Sequence, residues 1–403
     1  MSTSLMYHGF GVRGYQHVGT EFEGGMVIFK IERDQHRLRC SNCGSDQVMS
    51  QGGPERIFRT LPIGSKPTLL RCKVPRVWCF KCGLVRQVKI DFADPRVRYT
   101  RALERYVLDL SQHMTIQDVA EHLQMSWDTI KDIQARNLQK RFGKPKLRWL
   151  KEIAIDEIAI GKGHRYVTVV LNLRSGAVVF VGDGKGTEAL EPFWRRLRRA
   201  RAKVQAVATD MSKAYIRAVR DNLRRAVHVF DHFHVIKLFN DKLSAFRRDL
   251  YHRLSAEGQR ILKGTRWLLL KNPENLDPAR NEQERLQAAL SLNEPLAKVY
   301  YMKEDLRQIW LQADKATARR ILTDWVRRAE ASGVRMLITF AATMREYQEG
   351  ILAYYDYRIS TGPLEGTNNK IQTMKRQAYG FRDPEFFKLK ILGIHESRYA
   401  LVG

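Results

Sequence analysis

The sequence predicts an α/β core split by an all-α insertion, with a β-rich, cysteine-bearing segment and two short helices ahead of it. Three observations carry that expectation. Between 150 and about 235, strand-length apolar runs alternate with amphipathic stretches. From about 240 to 350 the composition is helical almost throughout, rich in Leu, Ala, Arg and Glu. All five cysteines fall between positions 40 and 82. With 403 residues, 44% of them hydrophobic, the chain is long enough for two or three domains with a substantial core.

The first segment, 1–95, reads as short β-like runs broken by Gly and Pro. It holds Cys40-Ser-Asn-Cys43 and Cys79-Phe-Lys-Cys82, each followed by a glycine, Gly44 and Gly83. Two residues between thiolates let the chain turn so that both sulfurs reach one tetrahedral Zn²⁺, and the glycine relieves the backbone there. Four thiolates leave no open position, so the zinc would be structural. The spacing between the pairs exceeds the usual one, yet a zinc ribbon tolerates a long β insertion. Cys72 is left over, and either it or His36 replacing a ligand stays open. The plainer reading is a set of buried free cysteines. An odd number of thiols confined to one short stretch suits a reducing compartment better than a disulfide framework.

Residues 96–145 read as helices, and Lys144-Pro145-Lys146 as a linker. Thr115-Ile-Gln-Asp118 has the form of a capping box, followed by Val119, Ala120 and Leu123 on one face. Ser126 can cap a second helix carrying Ile130 and Ile133. Two short helices so tightly joined form a helix-turn-helix pattern. Trp127, Asp128, Thr129, Lys131, Asp132 and Gln134 are then expected on the outward face of the second helix. An ordinary helical hairpin is the plainer alternative.

In the core, strand-length runs fall at 152–160, 166–173, 177–182, 204–209 and 227–230, with amphipathic helices at 187–200 and 212–224. Arg174-Ser175-Gly176 makes a hairpin turn between the second and third runs. Strand–strand–strand–helix–strand–helix–strand–helix is the order of a ribonuclease-H-like core. The expected organisation is therefore a core spanning 150–240, a helical insertion over 241–350 interrupted at 271–278, and a return to the core over 351–403.

Three acids stand out on this frame. Asp156 lies inside the apolar run at 152–160, Asp210 closes the run at 204–210, and Glu365 opens a helix-like segment at 362–370. Asp is disfavoured in half-buried strands, and a divalent cation is the commonest reason to gather carboxylates that otherwise repel. Each acid has a plainer reading. Asp156 would be satisfied by a backbone donor, Asp210 would start a turn, and Glu365 would favour a helix start capped by Gly362 with Pro363 first. Jointly, they occupy the first strand, the end of the fourth strand and the late helix, positions that converge in a ribonuclease-H-like fold.

The charge narrows the partners. Seventy Lys and Arg against 43 Asp and Glu give a formal net charge of +27, spread along the whole chain. Such an excess calls for a polyanion, and its spread favours a long nucleic-acid footprint over one local patch. No stretch approaches the ~20 apolar residues of a membrane span, and the N-terminus lacks a basic region followed by an apolar one, so neither membrane insertion nor secretion is expected.

The ordered motifs Ile-Asp-Glu (155–157), Thr-Asp-Met-Ser-Lys-Ala-Tyr (209–215), Asp-His-Phe-His-Val-Ile-Lys (231–237) and Thr-Gly-Pro-Leu-Glu-Gly-Thr-Asn-Asn (361–369) join the C-x-x-C pairs and the helix-turn-helix. In this set the chain resembles the ISL3-type insertion-sequence transposases, a bacterial DDE family, over nearly its whole length. The resemblance implies that Asp156, Asp210 and Glu365 form the catalytic triad. They would hold two Mg²⁺, with Mn²⁺ as a substitute, Asp156 bridging both ions. It implies binding to the double-stranded terminal inverted repeats and to target DNA, strand cleavage and strand transfer. A homodimer or larger assembly on DNA and a cytoplasmic, nucleoid-associated location follow from the same resemblance.

Further residues are candidates on that footing. Asp231 and His234 form a D-x-x-H pair directly after the fifth strand, auxiliary to the site or simply a strand-end cap with a packed histidine. His232 and Lys237 are weaker candidates for phosphate contact. Trp267, beside Arg266, can stack on an unpaired base, although tryptophan in an apolar helix is more often core, and core is the favoured reading. Asn368, Asn369 and Gln372 share the Glu365 face and would meet DNA near the metals, with Lys370, Lys375 and Arg376 on phosphates. The competing reading is a sequence-specific DNA-binding regulator or domesticated protein that does not cut, and a third is a nuclease without strand transfer.

Overall fold

The computed structural model describes residues 4–34, 38–161 and 163–395. The described residues form two compact units: the chain up to Gly143 with Met374–Leu389, and Lys144–Thr373 with 390–395.

The first unit opens with α1 (Leu5–Phe10), then β1 (Tyr15–Glu23), β2 (Met26–Arg33), β3 (Val48–Ser50), β4 (Glu55–Ile63), β5 (Lys66–Lys73), β6 (Arg76–Cys79) and β7 (Val85–Gln87). Two sheets result. One runs β1-β2-β5-β4, with β2 and β5 parallel and the outer pairs antiparallel; the other is the small antiparallel β3-β6-β7. The β4–β5 hairpin thus leaves the cysteine-bearing small sheet and extends β1–β2. Alternation sends Phe29, Ile31, Phe58, Leu70 and Cys72 inward, where they pack with Met6, Phe10, Val77 and Phe92.

Three helices follow: α2 (Arg101–Leu110), α3 (Ile116–Leu123) and α4 (Trp127–Phe142). Their starts use the side chains the sequence offered. The Thr115 hydroxyl accepts the Asp118 amide while the Asp118 carboxylate accepts the Thr115 amide, a full capping box. The Ser126 hydroxyl accepts the Thr129 amide at the start of α4. Between them Gln124 takes a left-handed φ of 49°, which turns the chain sharply. Ile116, Val119, Ala120, Leu123, Ile130, Ile133 and Leu138 are buried.

The second unit carries β8 (Glu152–Gly161), β9 (Arg165–Asn172), β10 (Val178–Asp183), α5 (Thr187–Arg199), β11 (Ala206–Thr209), α6 (Lys213–Asn222) and β12 (Val227–Phe230). This is the succession of strands and helices expected from the apolar runs. The sheet order is β10-β9-β8-β11-β12, an antiparallel meander joined through β8 to two parallel strands. Ile153, Ile155 and Val207 face one side, packed with Leu190, Phe193 and Trp194 of α5 and Tyr215 and Val219 of α6.

From α7 (His232–Tyr251) the chain is helical: α8 (Ala256–Leu262), α9 (Arg266–Leu270), α10 (Glu282–Leu292), α11 (Glu294–Arg307), α12 (Lys315–Ala331), α13 (Arg335–Glu346) and α14 (Gln348–Leu352). Phe239, Leu243, Leu296, Leu322, Trp325 and Phe340 are part of a separate apolar core. The Trp325 indole donates to the Met302 carbonyl at 2.8 Å, satisfying the polar atom that its burial would otherwise orphan. The chain then forms α15 (Gly362–Gln377) and α16 (Pro384–Leu392).

Candidate active site and cysteine cluster

Register places the acids. In the parallel ladders Ala154 of β8 pairs Ala208 of β11, and Ala208 pairs Val229 of β12. Two residues further on stand Asp156, in the middle of β8, and Asp210 and Asp231, each directly after the last residue of its strand. Because side chains alternate along a strand, Asp156 points away from the Ile153–Ile155 face that meets α5 and α6. The carboxyl ends of neighbouring parallel strands are where open α/β sheets place their ligand crevices.

Each acid is then fixed differently. One Asp156 oxygen accepts the Glu157 amide and the other accepts the Asn368 side-chain amide from α15, both at 2.9 Å. Burial drives the Asp156 carboxyl up to about 6; His234 pulls against that rise, and the charges of Glu157 and Asp210 add to it. Burial also raises Asp210, whose carboxylate accepts the Ser212 amide at 2.9 Å, with Glu157 reinforcing and His234 and Lys237 opposing. Asp156, Asp210, His234 and Lys237 therefore share one electrostatic neighbourhood.

Asp231 does other work. It is buried, and one of its oxygens accepts the Thr361 hydroxyl at 2.7 Å. The Thr361 carbonyl accepts the Leu364 and Glu365 amides, both at 2.8 Å. Asp231 thus anchors the start of α15 across 130 residues of sequence. The D-x-x-H pair divides its labour: Asp231 holds the helix, and His234 faces the acids.

Glu365 lies in the first turn of α15 and is exposed. The helix begins at Gly362, so that residue is not the cap the plainer reading assigned. Asn368 follows one turn after Glu365 on the same face, which aligns Glu365 with the side of α15 that meets Asp156. Gln372, a further turn on, donates to the Ala159 carbonyl of β8 at 2.7 Å. Asn368 and Gln372, expected to reach DNA, instead fasten the helix to the sheet. Asn369 and Lys370 are exposed, and Lys370 lies 3.3 Å from His395. Lys375 is half-buried and Arg376 exposed in the last turn.

Sequence reasoning missed Glu157 as a participant. Its carboxylate accepts the Tyr215 hydroxyl at 2.6 Å, and burial together with that negative charge raises the phenol. The signal was present as an Asp-Glu dipeptide in an apolar strand, since alternation must send the second acid to the opposite face.

The cysteines form a second cluster. Cys40, Cys43, Cys79 and Cys82 place their sulfurs within 4.8 Å of one another, with Cys40–Cys82 at 3.7 Å and Cys43–Cys79 at 3.5 Å. Four thiolates ~2.3 Å from one tetrahedral ion stand roughly 3.8 Å apart, so this cluster fits zinc. Gly44 and Gly83 both take left-handed φ, 75° and 68°, as each knuckle requires. Amides of Cys43 and Asn42 draw the Cys40 thiol down to about 6, toward the thiolate that binds metal. Among the described residues no other group of three or more potential ligands is gathered as closely, the three acids included. Cys72 is excluded from the cluster: it lies in the apolar core of β5, where burial pushes its thiol up to about 12. His36 lies outside the described residues.

On α4, Trp127 is exposed and Thr129 half-buried. Lys131 is paired with Asp383 at 2.7 Å. Gln134 corrects the expectation of an outward face: it is buried and donates to the Ser111 hydroxyl at 2.9 Å, because its helical position falls beside Ile130 and Ile133. Trp267 is corrected the other way. It is 65% exposed, with the Arg266 guanidinium 4.8 Å from its ring centre, because α9 buries Leu268 and Leu269 instead.

Comparison with known proteins places the chain in a family. A family model described as "Transposase", of the ISL3 DDE type, matches residues 153–391, and one described as "Helix-turn-helix domain of transposase family ISL3" matches 88–136. The transposase for insertion sequence element IS1001 of Bordetella parapertussis is 34% identical over 389 residues, 96% of this chain and 95% of that protein. The transposase for IS1557 of Mycobacterium tuberculosis is 28% identical, covering 94% and 91%. Among solved structures, the Drosophila P element transposase strand transfer complex aligns with a TM-score of 0.39 and 11% identity, over 73% of this chain and 92% of that one. The chain belongs to the ISL3 family of DDE transposases.

Proposed function

We propose that this chain mobilises its own insertion sequence, binding the terminal inverted repeats and catalysing cleavage and transfer of DNA strands through Asp156, Asp210 and Glu365. The β8–β12 sheet is then a ribonuclease-H-like core, and the helices from the latter part of α7 to α14 are its insertion. The observation that carries the reading is the level register of Asp156, within β8, and Asp210, just after the neighbouring parallel strand β11, with the Glu365 helix clasped to Asp156 by Asn368.

The donor set fits Mg²⁺, for which Mn²⁺ can substitute. Oxygen ligands suit a hard cation, and two carboxylates held above their usual range by burial are ones that a cation would return to the charged form. Bound between Asp156, Asp210 and Glu365, a pair of such ions supplies activation of the attacking oxygen and stabilisation of the leaving one. The chain's own residues do the positioning. Asn368 orients the Asp156 carboxylate, Asp231 fixes the start of α15, and His234 sets a polar group beside both aspartates. Lys370, Lys375 and Arg376 line α15 with positive charge for the DNA backbone. The four cysteines hold a structural Zn²⁺ in the unit that carries α3 and α4. Holding two element ends at once calls for a homodimer or larger assembly on DNA.

The test is cleavage of a labelled duplex carrying the element's end, with Mg²⁺ or Mn²⁺, by wild type and Asp210→Asn. The expected result is metal-dependent cutting at the end, reduced about 10³-fold or more in the variant. Binding without cutting, the same in both proteins, would favour the non-cutting regulator.

A further inference from the structure

The first unit holds a cleft of about 720 Å³ between its β-rich part and the start of α4. Four arginines line it, Arg59, Arg96, Arg98 and Arg136, against one acid, Asp132. Arg59 is committed to structure: its guanidinium donates to the Leu123 carbonyl at 2.7 Å, closing α3 against β4. Arg96, Arg98 and Arg136 are exposed. Ser126 and Thr129, from the first turn of the 16-residue α4, form another wall, so the positive end of that helix opens on the cleft.

A second observation is independent of the helix. Tyr99 lines the same cleft at 7% exposure, with the Arg136 guanidinium 5.3 Å from its ring centre. Its hydroxyl is buried and has no hydrogen-bond partner among the described residues. An orphaned buried donor is destabilising, a cost removed once an acceptor enters. A helix start, three exposed guanidinium groups and an unsatisfied hydroxyl together describe a seat for an oxyanion.

We propose that this cleft seats one backbone phosphate of duplex DNA, held by Arg96, Arg98, Arg136 and the Tyr99 hydroxyl. The assignment rests on the DNA-binding reading above and deepens it. The second helix of a helix-turn-helix enters the major groove by its N-terminal end, which brings a flanking phosphate to that end. The contact fixes register and orientation and carries no base preference.

The experiment is fluorescence anisotropy of the full-length protein with a labelled duplex of the element's end and with an unrelated duplex, across a salt series. Arg98→Gln, Arg136→Gln and Tyr99→Phe are compared with wild type, and thermal melting of each checks the fold. Both arginine variants should bind both duplexes about tenfold more weakly, with a slope of log affinity against log salt shallower by about one. Tyr99→Phe, which deletes a single oxygen, should weaken both without changing the slope. Folded variants that keep wild-type affinity and slope would overturn the assignment. So would variants that lose stabilisation by inorganic phosphate yet keep DNA affinity, since the cleft would then belong to a free anion. A wild-type protein that binds neither duplex would mark failure of the functional reading itself.

Discussion

The cysteine cluster and the acidic site are two candidate metal sites assembled by opposite means. The four sulfurs are delivered by two local turns, each with a left-handed glycine, and lie within 4.8 Å of one another. The acids come from the middle of one strand, the end of its neighbour and a helix far along the chain, and protein donors hold the two aspartates: the Glu157, Asn368 and Ser212 nitrogens. A closed thiolate set excludes everything but its ion, whereas carboxylates supported from behind leave a side open to substrate. The first would stabilise a fold; the two aspartates of the second place stress on one, because burial disfavours their charge.

That contrast can be broken by experiment. Cys79→Ser should give the largest effect: loss of one zinc per chain by metal analysis and destabilisation of the first unit by several kcal/mol, since ligation energy is folding energy in such modules. Cys72→Ala should leave the zinc content unchanged, and a loss there would redraw the cluster.

Thr361→Val tests the anchoring of the Glu365 helix. It leaves the buried Asp231 carboxyl without its hydroxyl donor, at a cost of about 1–3 kcal/mol. Cleavage should slow by roughly tenfold, more than DNA affinity falls, because Glu365 lies in the first turn that Thr361 anchors and the basic residues of α15 lie further along it. Thr361→Ser should restore the rate, and a Val variant as fast as wild type would leave Asp231 a purely local cap.

Asp156→Asn tests the stress. A carboxyl raised from 3.8 to about 6 favours folding in its protonated form, so that contribution is present below about pH 4 and lost as pH rises through about 6. Without added metal the Asn variant should therefore melt higher at pH 7.5, by about 1–3 kcal/mol after allowance for partial solvent screening. The advantage should vanish near pH 4, and an equal difference at both pH values would remove burial of charge as its cause. The smallest effect is expected at Trp267. Replacing this exposed ring with Ala should change stability by under ~0.5 kcal/mol, against the ~3–5 kcal/mol of a core tryptophan.

Residues whose position follows from local chain geometry were legible beforehand. The capping box at Thr115, the Ser126 cap, the two C-x-x-C knuckles and the strand–helix succession from β8 to α7 depend on spacing within a few residues, and spacing is written in the chain. Asp156 and Asp210 were legible because a carboxylate in an apolar strand demands a reason. Helical positions near the edge of a buried face were not. Gln134 is adjacent to Ile133, and only the packing of α4 near Ser111 decides that it is covered. Trp267 adjoins three leucines, and which side of a five-residue helix turns inward is set by the helices around it.

The sequence by itself determined the periodicities, the caps, the ligand types and the charge, because each is a property of neighbouring residues. Tertiary structure alone decided that Asn368 serves Asp156, that Asp231 anchors Thr361 and that Arg136 lies over the Tyr99 ring. Those partners are brought together by strand register and helix docking, which no short stretch of chain encodes.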